Sequence, residues 1–375
     1  MNSHTINFDD LALAREIIPF LRLRLRIIKR RFFGAETSEG TGILIVMPCI
    51  LGDSLSCLPA IEAFADLHHT SFDIVVSPDF RSLAERLRGV RRIFVAGSSY
   101  NRATERSVSA QDVPSEYDLM IVLRLSRSGY ELIKHVKCRN IIGSDGALFR
   151  YILQLVKNSL LHRPIRQSRD VMYDAFGLKP DSRACCPDYL FDLDSDKRDI
   201  ALSFPQISCP ERKVLVHLGS GWRVKLWSDD NWVGLFERIH SLGEYRFIFI
   251  GRSAEENVTF ERIRKRLSFE VYSLIDSANL WEAFLIMKRC AYFIGIDSGP
   301  RNLAHYADLR SVTLLNPAAV KNFLPFDKRD VLVEKPNRFP INIINTKRGA
   351  SLAMIGVDEV FEAFKRLVAQ SQQPA

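Results

Sequence analysis

Short, continuous apolar runs alternate with longer segments of helical period along most of this chain. Gly42–Met47, Phe72–Val76, Arg92–Val95, Leu119–Leu123 and Asn140–Ile142 read as strands covered on both faces, because they are short, rich in β-branched residues and do not alternate apolar with polar. Helical patterns such as Leu58–Leu67 and Ser82–Leu87 separate them. The rhythm restarts with Val214–His217, Phe247–Ile250, Glu270–Tyr272, Tyr292–Ile296 and Ser311–Leu315. It closes on an amphipathic helix over Val357–Val368, with Gln370–Ala375 expected to fray. Strand and helix in turn predict an α/β fold with parallel sheets. The mixed charges and prolines of Asp188–Pro210 mark the linker between the two runs. The expected division is an N-terminal segment 1–40, a first domain 41–198 and a second domain 199–375.

Length supports two domains, since 375 residues exceed what one hydrophobic core usually serves. Apolar residues at 47% and charged residues at 26% are globular values and exclude wholesale disorder. No run approaches the roughly 20 apolar residues that span a bilayer. Asp9 and Asp10 stand where a secretory signal would carry positive charge, so a cytoplasmic location is expected. Seven cysteines without a CxxC pair suit a reducing compartment, and the adjacent Cys185 and Cys186 read as ordinary thiols. No group of His, Cys, Asp or Glu has metal-ligand spacing, so neither a metal nor another cofactor is expected.

The formal charge of +8 is uneven. Residues 1–33 hold seven basic side chains against Asp9, Asp10 and Glu16, a net +4, interleaved with apolar residues from Leu11 to Phe33. Wound as a helix, kinked at Pro19, this segment has an apolar side flanked by arginines, the form of an element lying in an anionic membrane interface. A helix packed on the protein's own surface fits the pattern equally well. Nucleic acid is not expected as a partner, for no binding motif accompanies the charge.

Two loops carry the candidate chemistry. In the first, a strand runs into Leu51-Gly52-Asp53, with a helix expected from about Ser54. Asp53 there either caps that helix or projects into a cleft as a general base. In the second, Tyr292–Ile296 runs into Asp297-Ser298-Gly299-Pro300, where Ser298 and the helix N-terminal amides offer a phosphate cradle. Asp297, being anionic, orients the loop or a ligand hydroxyl. Between them, His217-Leu218-Gly219-Ser220-Gly221 follows a buried strand, and Lys225 lies just beyond. Gly219 and Gly221 would let amides approach a phosphate, Ser220 would donate to it, and Lys225 would offset charge on a diphosphate leaving group. Glu255, after the Gly251 turn, is placed either for ribose hydroxyls or for the helix dipole. Arg124 and Arg127, after the Leu119–Leu123 strand, are candidates for acceptor phosphates or carboxylates.

Taken together, Leu51-Gly52-Asp53, His217–Gly219 with Lys225 and Trp227, the Gly251–Glu255 turn and Gly295-Ile296-Asp297-Ser298-Gly299-Pro300 with Leu303-Ala304 resemble family 9 glycosyltransferases, the ADP-heptose:lipopolysaccharide heptosyltransferases. The resemblance covers about residues 41–365 in order. It implies the GT-B fold, two Rossmann-like domains facing a cleft, the first binding acceptor and the second nucleotide-sugar. It also implies an inverting, metal-independent transfer with a lipid-linked glycan as acceptor, on the cytoplasmic face of a bacterial inner membrane. Asp53 becomes the base under this resemblance, and Lys225 and Ser220 become diphosphate contacts. Glu255 takes a ribose or base contact, and Asp297, Ser298, Gly299 and Asn302 form the donor loop. The chain departs from the family pattern at Arg301 (commonly methionine), Asn302 (histidine), Ser228 (proline) and Asn316-Pro317-Ala318 (Gly-Pro-Thr), changes expected to surround the donor pocket. A GT-B-shaped binding protein without turnover is the alternative. Retention of Asp53 and Lys225 speaks against it, and an epimerase would need further acids that are not found.

Overall fold

A computed structural model describes residues 42–47, 51–95, 113–123, 136–143, 191, 193, 200–209, 212–219, 225–315, 329–335 and 352–371. The N-terminal basic segment, Cys185, Cys186, Ser220, Arg124 and Arg127 lie outside these residues.

In the first half, β1 (Ile43–Val46) leads into α1 (Leu51–His68), then β2 (Phe72–Val76), a short α2 (Arg81–Ala84), β3 (Val90–Val95), β4 (Glu116–Val122) and β5 (Lys137–Gly143). In the second, α3 (Ile200–Ser203) precedes β6 (Arg212–His217), α4 (Asp229–His240), β7 (Tyr245–Phe249), α5 (Ala254–Arg264), β8 (Tyr272–Ser273), α6 (Leu280–Met287), β9 (Tyr292–Ile296), α7 (Gly299–Tyr306), β10 (Arg310–Leu315), β11 (Asp330–Glu334) and α8 (Val357–Ser371). The sheets have strand orders β3-β2-β1-β4-β5 and β11-β10-β9-β6-β7-β8, and every pairing within them is parallel. These are two Rossmann-like α/β units, as the alternating pattern predicts.

Continuous apolar strands are what double-faced burial requires. Leu44 and Val46 of β1 enter one apolar cluster with Val75, Met120 and Val122, while Ile45 and Met47 point the other way. In β6, Val214 and Val216 join an outer cluster with Trp232 and Phe236, and Leu215 faces inward. The inward faces of the two sheets share one cluster, which holds Ile45, Ile74 and Leu83 together with Leu215, Ile248 and Phe284. Polar contacts stitch the same border. The Trp281 amide donates to Ser82 Oγ at 3.3 Å, and the Arg252 guanidinium meets Asp79 at 3.0 Å.

Four readings change. The stretch taken as a linker carries Phe191, Ile200, Phe204 and Ile207 into the shared cluster, so it is packed where it is described. Helix α8 runs through Gln370 to Ser371, where fraying was expected, because its buried Val360, Phe364 and Leu367 anchor it on the second sheet's core. Helix α1 begins at Leu51, ahead of the expected Ser54. Strand β11 was not anticipated. Trp227 belongs to the core: its indole donates to the Ile355 carbonyl at 2.9 Å and stands edge-on to Trp232. Truncating such a residue typically costs about 3–5 kcal/mol, so its place in the sequence motif reflects packing.

Candidate active site

In each sheet the strand order reverses beside a central strand, β1 in the first and the β6–β9 pair in the second, and the chain leaves those strands into helices α1 and α7. Such switch points are where open α/β sheets bind ligands. Here they converge. Asn302 Nδ2 lies 3.5 Å from the Gly52 carbonyl oxygen, and a Cβ on Gly52 would sit 4.0 Å from Gly299 Cα. On Gly299 a Cβ would come within 2.7 Å of the Leu51 side chain. These glycines serve the close approach of two helix N-termini across the domain border. The Asn302 side chain is buried, and its Oδ1 has no hydrogen-bond partner among the described residues. An orphaned acceptor of this kind calls for a donor from a ligand or water.

Asp53 occupies the first turn of α1, partly exposed, with its backbone oxygen accepting the Cys57 thiol at 3.2 Å. With the helix starting at Leu51, Asp53 lies inside its first turn, past the N-cap position. A first-turn carboxylate still gains from the helix dipole.

Register builds the second half of the site. His217, the last residue of β6, pairs with Gly295 of β9, which brings the ring to the loop two residues on. Ser298 Oγ lies 3.0 Å from His217 Nδ1, and His217 Nε2 lies 3.0 Å from Glu256 Oε1. Glu256 Oε2 accepts from the Arg252 amide at 2.8 Å and from Ser253 Oγ at 3.0 Å. The carboxylate fills a niche made by two glycines: a Cβ on Gly219 would fall 1.8 Å from Oε1, and one on Gly251 would fall 2.7 Å from the carboxyl carbon. Burial alone would raise the Glu256 carboxyl, but the His217 contact, the Arg252 amide and the Ser253 hydroxyl hold it below its ordinary value. Ser298 is the N-cap of α7, yet its side chain makes no cap bond. Ser228, Ser253 and Asn279, the N-caps of α4, α5 and α6, all accept from amides of their own helices. The Ser298 hydroxyl is committed to His217.

Lys225 Nζ is 2.6 Å from Asp297 Oδ2 and 3.4 Å from the Asp297 carbonyl, in a partly buried pair. Asp297 thus holds the ammonium beside the amino end of α7. The structure brings together Asp53, Lys225, Asp297, Ser298, Gly299 and Asn302 along the facing ends of α1 and α7. It does not bring in Glu255, which is exposed in the first turn of α5 while its neighbour Glu256 turns inward. His217 and Glu256 are the residues the sequence reading missed as a pair. The glycines at 219 and 251 were the available signal, both being spaces cleared for one carboxylate.

Arg301 also reads differently. It is fully buried, with its guanidinium 3.0 Å from Asp330 of β11 and its Nε donating to Thr313 Oγ1 at 3.2 Å. His305 Nδ1 lies 3.1 Å from the same carboxylate, and Ser311 donates to it at 2.6 Å. Burial would raise Asp330, but His305, Arg301 and Ser311 bring its carboxyl down to about 2. This departure from the family pattern points into the second domain, toward Asp330.

Two Rossmann-like domains facing each other across such a border make the GT-B architecture. The family model of glycosyltransferase family 9 (heptosyltransferase) matches residues 113–341, and the chain belongs to that family. It is therefore a glycosyltransferase. No curated protein matches it by sequence. Similar solved structures include a glycosyl transferase family 9 protein from Veillonella parvula, with TM-score 0.70 and 15% identity over 90% of this chain and 100% of that one. The E. coli ADP-heptose lps heptosyltransferase II has TM-score 0.64 and 16% identity over 89% and 100%. The E. coli heptosyltransferase WaaC with ADP has TM-score 0.61 and 16% identity over 88% and 99%.

Proposed function

We propose that this enzyme transfers a sugar, heptose from ADP-heptose, with inversion to a hydroxyl of a lipopolysaccharide-core acceptor. The observation that supports the reading is the contact between the ends of α1, which carries Asp53, and α7, which follows the Asp297–Ser298 loop that Lys225 joins. Asp53 removes the acceptor hydroxyl proton as its oxygen bonds to the anomeric carbon. The bond from that carbon to the diphosphate breaks on the opposite face, and the nucleoside diphosphate leaves with the electron pair. Lys225 and the α7 amides meet the charge that grows on the leaving group, where fixed donors stabilise a transition state most. Asp297 positions Lys225. A hydroxyl of the transferred sugar donates to Asn302 Oδ1. Ser220 joins the diphosphate contacts, and Arg124 and Arg127 meet acidic groups of the acceptor. No metal takes part in these steps. Residues 1–33 hold the enzyme at the cytoplasmic leaflet; no helix among the described residues is long and apolar enough to cross a membrane.

A thermal-shift series tests the donor. A ligand that binds only the folded state raises the melting temperature according to its occupancy. ADP-sugars are expected to stabilise the protein more than UDP-sugars. Equal or absent responses sink the ADP-heptose assignment.

A further inference from the structure

Strand β6 ends at His217, beside the donor loop, and carries Lys213 four residues earlier, near its amino end. At the rise of a parallel strand the two lie roughly 13 Å apart. Alternation along the strand puts Lys213 on the same face as Leu215, the inward one. There it lines a cavity of about 340 Å³ together with Arg289, Ser208, Cys209, Ile207 and Ala201. One wall of the cavity is α3 and the turn Pro205–Ile207 that follows it, which pack Ala201 and Ile207 against the shared apolar cluster.

Lys213 is half-buried, and its ammonium donates to the Cys209 carbonyl at 2.9 Å. That bond uses one of the three N–H groups an ammonium carries. No carboxylate among the described residues pairs with Lys213. Arg246 of β7 stands in register beside it, on a strand about 4.8 Å away. Like charges set opposite one another destabilise a sheet. The Arg246 guanidinium lies over the Tyr272 ring, 4.6 Å from its centre, and the Tyr272 hydroxyl donates to Glu270. Arg289 brings a third cation, from the turn after α6. A half-buried ammonium that lines a cavity without a carboxylate partner, in register with a second cation, gains from an anion in that cavity.

We propose that this cavity is a second ligand site, for a small organic phosphate, separate from the donor site. Lys213 Nζ and the Arg289 guanidinium hold the phosphate, and the Ser208 hydroxyl donates to it. A phosphate monoester carries close to two negative charges at neutral pH, which matches two cations better than a single carboxylate does. Ala201 and Ile207 face the organic part. The volume is at the small end for ligand sites, so the ligand has the dimensions of a sugar phosphate. The segment that forms the wall also carries Phe204 into the shared cluster, so an occupied site ties the amino end of β6 to the chain that joins the two domains.

Calorimetric titration of the full-length chain with glucose 6-phosphate and with inorganic phosphate, each in saturating ADP, tests the proposal. ADP fills the donor site, so binding that survives it belongs elsewhere. Glucose 6-phosphate is expected to bind, and more tightly than inorganic phosphate, which cannot use the apolar wall. Lys213→Gln and Arg289→Gln should each weaken it by about tenfold or more, the loss of one charge-assisted hydrogen bond, and leave ADP binding unchanged. Arg289 is exposed, so its variant still reports if the change at Lys213 disturbs the start of β6. Wild type that binds ADP but neither probe overturns the proposal and leaves the donor reading standing, as does probe binding that ADP displaces or that neither variant weakens. A chain that does not bind ADP loses the donor reading, and the two variants then decide the proposal alone.

Discussion

Asn302 of α7 reaches the carbonyl oxygen of Gly52, the residue immediately before Asp53, at 3.5 Å. The helix ends that carry Asp53 and Asn302 are therefore in direct contact, with no intervening element. If that contact sets the base against its substrate, Asp53→Asn lowers turnover by roughly 10²–10⁴-fold, the range of general acid–base groups. Nucleotide affinity should change little, because the proposed donor contacts sit on the other domain. Steady-state kinetics beside direct binding separate the two, and near-normal turnover would remove Asp53 from catalysis.

Lys225 and Asp297 make a second testable pair. Lys225→Ala should weaken nucleotide-diphosphate binding and depress turnover further still, since more charge meets the ammonium in the transition state than in the ground state. Asp297→Asn leaves the lysine in place without its carboxylate partner and should raise KM more than it lowers kcat. Activity is expected to survive EDTA. Loss of activity that a divalent ion restores would overturn the metal-free steps.

Glu62 gives a prediction of opposite character. It is buried in α1, and burial, with Asp66 adding repulsion, pushes its carboxyl up to about 9. The unfolded chain releases this proton near the ordinary 4.5, whereas the folded protein keeps it. The folded state thus binds more protons between those values, and stability falls as pH rises through them. Glu62→Gln stays neutral throughout. Urea melts should show the variant gaining on wild type from pH 5 to pH 8 and no such trend below pH 4. A pH-independent difference would count against a protonated Glu62.

The buried Arg301–Asp330 pair should behave as a unit. Arg301→Met supplies the residue common in the family but strands the Asp330 charge, a change that typically costs about 3–5 kcal/mol. Adding Asp330→Asn should recover part of the loss, and a double-mutant cycle measures the coupling. Because the Asp330 carboxyl is held down at about 2, its contribution is complete above the usual 3.8 and fades as pH falls through the interval between them. In acid titration the stabilities of the wild type and of Asp330→Asn, separated above that interval, should converge as pH falls through it.

Residues 1–33 are expected to carry membrane binding. An anionic surface attracts each nearby basic side chain by about 1 kcal/mol, and salt screens that attraction. Deleting the segment should abolish co-sedimentation with phosphatidylserine-containing liposomes while nucleotide binding persists. A full-length chain that ignores such liposomes at low salt would return the segment to the protein's own surface.

Most strands were legible because parallel strands covered on both faces leave a run of apolar residues that little else produces. Tyr292–Ile296 and Phe72–Val76 have the bounds expected from sequence. Strand β11 was missed because Asp330 and Glu334 bracket a short edge run, and Asp330 is inside only by virtue of Arg301 and His305. The same distance along the chain hid the meaning of Arg301, whose partner stands on that unanticipated strand. Gly52 was placed ahead of a helix expected from about Ser54, whereas α1 begins at Leu51. The small size of Gly52 serves Asn302 and Gly299, a tertiary reason invisible to local pattern. Between Glu255 and Glu256 the sequence offers no choice, since neighbours on a helix point about 100° apart and only the Gly219–Gly251 niche decides which one turns inward.

The apolar cluster shared by the two sheets also shapes how the protein is made. Synthesis completes the strands and helices of the first half well before Trp281, Phe284 and Leu303, which share their apolar cluster, have left the ribosome. Domains generally fold in the order they emerge, so the nascent first domain carries an unmatched greasy face for the time needed to translate more than a hundred further codons. Apolar surface exposed for such an interval is what chaperones bind and what aggregates. Slowed translation before Leu280 would lengthen it, and faster delivery of α6 and α7 would close it.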